Sequence, residues 1–279
     1  MISHERKVEK FYSHGSKLRS MQEGGFLSFG LWREDTADYR QAAENLLNML
    51  LENEKLLHRG RILNVACGYG SETFEIYQRL SPDAIIAIDV TEAHIRFAAK
   101  KAAESDLAQK IFFEKQDACV LPYPSGSFAY VIGIEGPAHF NTRETFLRRA
   151  YDVLEPGGVL LLTDIIVNKA MARRNPFTNW IGRRVAARWH MPEANWMTID
   201  FLVNLLKTIG FRIDIVKGIG RQVYPGFAKY NTRWRSIVSA VKTRGAFFGF
   251  GLTAISWFLG WAFRRGALDY VFLRAVRER

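Results

Sequence analysis

A chain of 279 residues, 48% of them hydrophobic, is long enough for one large domain or, as we favour, one domain with an embedded cap. The two cysteines, Cys67 and Cys119, lack zinc-site or disulfide-framework spacing and the polar opening MISHERKVEKFYSHG holds no apolar secretory signal, so a metal-free protein of the reducing cytoplasm is expected. The net charge of +11 resembles a nucleic-acid signature until it is divided, because residues 1–165 carry 19 Lys and Arg against 23 Asp and Glu whereas residues 166–279 carry 20 against 5. That asymmetry points either to an anionic surface or ligand met by one region, or to a basic face that only aids solubility.

In chain order, residues 1–60 read as an N-terminal helical lid. From Arg61 onward apolar β-branched runs alternate with helical patterns, the sequence form of repeated βα units around a parallel sheet. Strands are predicted at 61–67, 84–89, 111–117, 130–135 and 159–164. Helices are predicted at 71–80, closed by Ser81-Pro82; at 91–105, with Thr91 capping the first turn; and at 142–154, running into Pro156-Gly157-Gly158. Past residue 165 the rhythm changes. Residues 166–197 hold three of the seven tryptophans and six Lys and Arg, too long and aromatic a stretch for a plain connection, and read as a cap insertion on the 61–165 core. Residues 198–279 complete the core with a helix at 198–208, strands at 211–219 and 268–276, and an apolar helical insertion at 226–266. The fold class expected is α/β, a seven-stranded, mostly parallel sheet flanked by helices.

The decisive segment is ILNVACGYGSET (62–73), where a buried strand ends at Cys67 and Gly68 and Gly70 form a turn that lets the backbone approach a ligand before a helix begins. Asp89 lies 19 residues beyond Gly70 at the end of the second strand, where a carboxylate meets ribose hydroxyls, and Asp117 ends the third. Asp117 also suits a helix cap before VLPY. A nicotinamide dinucleotide would want a third glycine, but that position is Thr73, and no second mononucleotide half follows.

On these residues the chain resembles the class I S-adenosylmethionine-dependent methyltransferases, particularly the small-molecule group acting on macrolides, terpenoids and tocopherol-like quinols. NVACGYG (64–70), AIDV (87–90), QDACVLPYPSGSFAYVIGIE (116–135) and LEPGGVLLLTD (154–164) match its motifs in order over roughly residues 60–165. The resemblance implies a Rossmann-like fold and S-adenosylmethionine as cofactor, with Gly68 and Gly70 along the methionine, Asp89 on the ribose diol, Val90 on the adenine, and Asp117 with Ala118 at the adenine edge. It implies that Glu135, Gly136 and His139 lie where methyl group and acceptor meet. FYSHG (11–15) and LSFGLW (27–32) resemble the family's cofactor-covering lid, with Tyr12 and Phe29 as cofactor contacts, or else are ordinary packing of an N-terminal helix.

Methyl transfer from a sulfonium is an in-line displacement, so the enzyme aligns donor and acceptor and excludes water. His139 is the best placed base and Glu135 the second catalytic candidate, in the loop after a strand's C-terminal end. His190, Trp180, Trp196 and Tyr230 are candidate substrate contacts. AFFGFGLTAISWFLGWAF (246–263) is 18 uncharged residues between Arg244 and Arg264-Arg265, the lower limit for a membrane span. It lies between two strands expected in one sheet, so it reads instead as a cap over the acceptor pocket or a surface dipping into one leaflet of an anionic membrane. Arg173, Arg174, Arg183, Arg184 and Arg188 add affinity for anionic lipid, hold a phosphate as in a prenyl diphosphate, or form a solvated face. The function expected is methylation of oxygen, nitrogen or carbon on a hydrophobic small molecule. The alternatives are a cofactor-binding cyclase or membrane-surface module without transfer, and an RNA methyltransferase. With no recognition module and an uncharged aromatic run, no nucleic acid is expected, and oligomeric state is left open.

Overall fold

The computed structural model describes residues 3–13, 25–52, 54, 60–174 and 176–278. Helices α1 (His4–Ser13) and α2 (Tyr39–Leu51) precede β1 (Arg61–Val65), α3 (Ser71–Leu80), β2 (Ala84–Asp89), α4 (Glu92–Ala103), β3 (Ile111–Lys115), β4 (Phe128–Ile134), α5 (Arg143–Val153) and β5 (Leu154–Val167). Then come α6 (Lys169–Arg173), α7 (Pro176–Arg188), α8 (Ile199–Ile209) and β6 (Phe211–Gly218). Helices α9 (Gly220–Asn231), α10 (Trp234–Arg244) and α11 (Ala246–Arg264) lead into β7 (Leu268–Arg277).

The seven strands form one sheet in the order β3-β2-β1-β4-β5-β7-β6, with β7 antiparallel to both of its neighbours and the other pairs parallel. Successive strand residues face opposite sides, and both sides are buried, which is why the central strands read as continuous apolar runs. Ile62, Tyr130, Ile132, Leu161 and Tyr270 pack on one side with Leu46, Leu47 and Leu50 of α2 and Val223 and Phe227 of α9. Leu63, Val65, Val131, Leu160 and Leu162 pack on the other with Phe146 and Leu147 of α5 and Leu202 and Leu206 of α8. Strand order reverses between β1 and β4, opening a crevice at the carboxyl ends of those strands where open α/β sheets take their ligands.

Four expectations need adjustment. The first strand stops at Val65 because Ala66 turns to a left-handed φ of 53°. The fifth starts at Leu154, since Leu154 pairs with Phe128 across a register shift that absorbs Pro156-Gly157-Gly158. Thr91 does not cap α4 through its side chain; its backbone N–H donates to Asp89 Oδ1 at 2.8 Å. The helical insertion begins at Gly220 rather than 226, its first N–H donating to Asp269 Oδ1 at 3.1 Å as the chain leaves β6.

Candidate active site

A pocket of about 1050 Å³, its open mouth included, lies at the strand tips and is roofed by α1. Gly68, Asp89, Val90, Asp117, Ala118, Glu135, Gly136, His139 and Tyr12 all line it. The backbone builds the cradle. Gly68 sits at φ 52°, where a Cβ would lie 3.0 Å from Leu27 Cδ1, and its N–H donates to Asp89 Oδ2 at 3.0 Å. Ala66 after β1 and Glu135 after β4 both take left-handed backbone, φ 53° and 57°, conformations that cost non-glycine residues energy and that cluster at functional sites.

Burial opposes ionisation of Asp89, but the His94 imidazole, its Nδ1 3.6 Å from Oδ1, and the Thr91 N–H outweigh it and hold the carboxyl below its usual value. Asp117 lines the pocket, and its Oδ1 accepts from Cys119 N–H at 2.8 Å, capping a turn where the sequence suggested a helix. Glu135 Oε1 accepts from Tyr270 Oη at 2.7 Å and from Phe29 N–H at 2.6 Å. Burial nevertheless pushes its carboxyl up to about 8, because those two donors only partly offset the lost solvation. Glu72, in the first turn of α3, is likewise raised to about 7 by burial.

His139 Nδ1 is 2.7 Å from the Trp189 carbonyl, which can only accept, so the proton sits on Nδ1 and leaves Nε2 to accept from Tyr12 Oη at 3.2 Å. Burial lowers its pKa to about 4. The loop carrying His139 is fixed from behind. Arg143, 1% exposed, donates to Asp164 (Nη2 to Oδ2 2.8 Å) and to the carbonyls of Asn195 and Ile165, while Asp164 Oδ1 accepts from Ala138 N–H at 3.1 Å. Asn195 Nδ2 donates to the carbonyls of Ala138 at 3.0 Å and Phe140 at 2.7 Å.

Several expected contacts fall elsewhere. Gly70 does not line the pocket; it caps α3 at φ 81°, and a Cβ there would meet Phe113 at 2.7 Å. The Phe29 ring turns into the core between Trp189 and Phe227, so only its backbone N–H reaches Glu135. Trp180 is 53% exposed beneath Arg184, and Tyr230 stacks on Trp32 at 5.1 Å; neither lines a cavity among the described residues. His190 packs on Phe11 of α1, and Trp196 lines a second cavity. His14 and Gly15 and the Arg173 side chain lie outside the described residues. Arg174, Arg183, Arg184 and Arg188 are exposed and line neither cavity, and Arg183 pairs with Glu193. Thr73, where a dinucleotide site would have glycine, donates its hydroxyl to Asn64 Oδ1 at 2.7 Å and ties α3 to β1.

Sequence reasoning missed Glu72, His94 and the Arg143–Asp164–Asn195 network. His94 left a trace, an imidazole in the first turn after the acidic strand end, five residues past Asp89. The network left none, because its members are spread over 52 residues.

Residues 62–158 match the family model described as a methyltransferase domain. The chain is 27% identical over 214 residues to erythromycin 3''-O-methyltransferase of Saccharopolyspora erythraea, covering 75% of this chain and 69% of that one. It is 30% identical over 162 residues to 27-O-demethylrifamycin SV methyltransferase of Amycolatopsis mediterranei, covering 58% and 59%, so under two thirds of that relative is spanned. Among solved structures, the [4+2]-cyclase SpnF superposes with a TM-score of 0.75 at 22% identity, covering 99% of this chain and 97% of that one, a likeness of fold. The glycine cradle, the strand-end aspartates and the matched domain converge: residues 62–158 are a methyltransferase domain, and the chain is similar to S-adenosylmethionine-dependent methyltransferases.

Proposed function

We propose that this methyltransferase acts on a hydrophobic small molecule, a polyketide, terpenoid, quinol or lipid-like natural product, as the names of its relatives suggest. One observation carries the reading: the Tyr12–His139 pair stands in the same pocket as the glycine and aspartate cradle. The cradle fits the cofactor, because the bare Cα of Gly68 leaves space that a side chain would fill and an ionised Asp89 lies beside it. In this reading Gly68 lies along the methionine, Asp89 takes the ribose diol, Val90 the adenine face, Asp117 and Ala118 the adenine edge, and Glu135 the amino group. S-adenosylmethionine supplies an electrophilic methyl carbon whose C–S bonding pair stays with sulfur on transfer.

The chain's own groups align the acceptor and take its proton. As a hydroxyl oxygen bonds to the methyl carbon its proton becomes strongly acidic, so a weak base suffices. That proton passes to Tyr12 Oη while the Tyr12 proton moves to His139 Nε2, and the Trp189 carbonyl holds the imidazole in the tautomer that can receive it. The test is a labelled-methyl assay on organic-phase extracts with a macrolide, quinol and terpenol panel, beside titration with S-adenosylhomocysteine. His139→Ala should leave the titration within about twofold and lower turnover by about 10²- to 10⁴-fold, the usual worth of a general base. Absence of cofactor binding at micromolar concentration removes the reading; binding without any methylated product favours the cyclase alternative.

The reading includes a peripheral contact with an anionic membrane. No helix among the described residues is long and apolar enough to cross a membrane, yet Trp234, Phe247, Phe250 and Trp257 are exposed on α10 and α11 among exposed Arg233, Arg235, Arg264 and Arg265. Flotation with phosphatidylserine vesicles, lost at high salt, supports it; flotation equal with neutral vesicles, or none, removes it. The free thiols of Cys67 and Cys119 accord with a cytoplasmic setting.

A further inference from the structure

His94 lies in the first turn of α4, is 1% exposed, and lines the first pocket. Three parts of the site meet on its imidazole. Nδ1 stands 3.6 Å from Asp89 Oδ1, within ion-pair range. The ring is 4.3 Å from that of Tyr69, which separates Gly68 from Gly70 in the glycine turn, and 6.1 Å from that of Tyr12 on α1, an edge contact at 66°. Tyr12 in turn meets the His139 ring edge-on at 5.8 Å and donates its hydroxyl to Nε2 at 3.2 Å. The tyrosine of the roof is thus held between two imidazoles, one beside the strand-end acid and one at the acceptor end.

Few other contacts fix the roof. Among the described residues of α1 only Val8 is buried, and the polar ties of the helix include His4 Nε2 to the His139 carbonyl at 2.8 Å and Lys115 Nζ to Glu9 at 2.8 Å. Aromatic edge contacts at these separations favour one orientation as well as burying area, so the His94 ring bears on where the Tyr12 hydroxyl points. On its other side, the N–H groups of Gly68 and Thr91 each take one Asp89 oxygen; burial opposes ionisation of that carboxyl, and the imidazole with Thr91 outweighs it. The helix start anchors both contacts, because the His94 N–H donates to the Thr91 carbonyl at 3.0 Å just past Asp89.

We propose that His94 is a positioning residue shared by the two halves of the site, steadying Asp89 with Nδ1 and seating the Tyr12 hydroxyl against His139 with its ring. The assignment rests on the Tyr12–His139 reading above and deepens it. Cofactor affinity and alignment of the proton relay then depend on one side chain that itself carries no proton in the reaction.

The experiment uses the full chain labelled with ¹⁵N-histidine at neutral pH and follows the His139 Nε2 signal, identified by its loss in His139→Gln. Tyr12→Phe, which keeps the ring and removes the hydroxyl, sets the downfield position of the unbonded nitrogen. His94→Asn keeps a nitrogen donor where Nδ1 stands and removes the ring, so it should move the signal toward that position while leaving affinity for S-adenosylhomocysteine, by calorimetric titration, within about twofold. His94→Phe keeps an aromatic edge for Tyr12 and removes the nitrogen, so the signal should stay in place while affinity falls roughly five- to tenfold. His94→Gln, which fills more of the space, takes the place of the asparagine variant if that one does not fold. A signal unmoved by loss of the ring, or affinity unchanged by loss of the nitrogen, overturns the assignment, as do variants in which both readouts change together, the mark of a general loosening. S-adenosylhomocysteine binding with an unmoved signal leaves the methyltransferase reading standing without this role for His94; no binding by the unaltered chain removes the cofactor reading and the role together.

Discussion

In residues 1–165 the acids outnumber the bases 23 to 19, and the groups that matter turn inward: Glu72, Asp89, Asp117 and Glu135 line the first pocket, with Arg143 and Asp164 buried behind it. In residues 166–279 the bases lead 20 to 5, yet the cavity those residues mostly build contains no charged side chain, and Arg183, Arg184, Arg188, Arg264 and Arg265 are exposed. A net charge therefore does not locate a site. The half with almost no excess charge carries the polar chemistry, and the strongly basic half supplies apolar shape inside and charge outside.

The largest effect should come from breaking the inward-turned half. Arg143→Ala leaves the Asp164 carboxylate buried without its partner, expected to cost about 3–5 kcal/mol and to lower the thermal midpoint by about 10 °C. Scanning calorimetry checks this, and a midpoint within a degree or two would show the pair to be dispensable. Next, Asp89→Ala removes a carboxylate that organises the glycine turn; S-adenosylhomocysteine affinity should fall about 10- to 100-fold by calorimetric titration, the range for a charged hydrogen bond.

The pH dependence follows from the same inward groups. Glu135 and Glu72 hold protons in the folded chain up to about 8 and 7, above the ordinary value of 4.5. Their stabilising contribution is complete below about 4.5 and is lost as pH rises through those values. His139 runs the other way: lowered to about 4 from 6.5, its contribution is complete above 6.5 and is lost as pH falls through about 4. Two raised carboxyls outweigh one lowered imidazole, so thermal midpoints should fall as pH rises from about 4.5 to about 8, and Glu135→Gln should flatten that decline. The smallest effect belongs to the outward half. Arg184→Ala, which removes an exposed guanidinium stacked on Trp180, should change stability by no more than about 0.5 kcal/mol and leave turnover unchanged; a large loss of activity would place a ligand phosphate there after all.

All seven strands and the βα helices were legible because β-branched runs and Ser-Pro and Pro-Gly-Gly punctuation are local signals, and local signals survive in a sequence. The pocket-lining Gly68, Asp89 and Asp117 were legible for the same reason: each sits at a short offset from the end of its strand. What failed depended on the direction of a side chain. Gly70 has the same sequence character as Gly68 but faces Phe113, and Trp180 and Trp196 look alike in the cap although one faces solvent and the other a cavity. The helical insertion was placed from 226, whereas α9 already begins at Gly220 with an N–H anchored on Asp269, a contact between residues 49 apart that leaves no local trace.

Asn195 and Trp196 are consecutive, one stapling the carbonyls of the histidine loop and the other walling the apolar chamber. Chain continuity couples the two, since any backbone shift that accommodates a replacement of the indole is transmitted to the amide next door. Substitutions at Gly182 and Ala262, which line the chamber from two separate helices, reach it without passing through that amide.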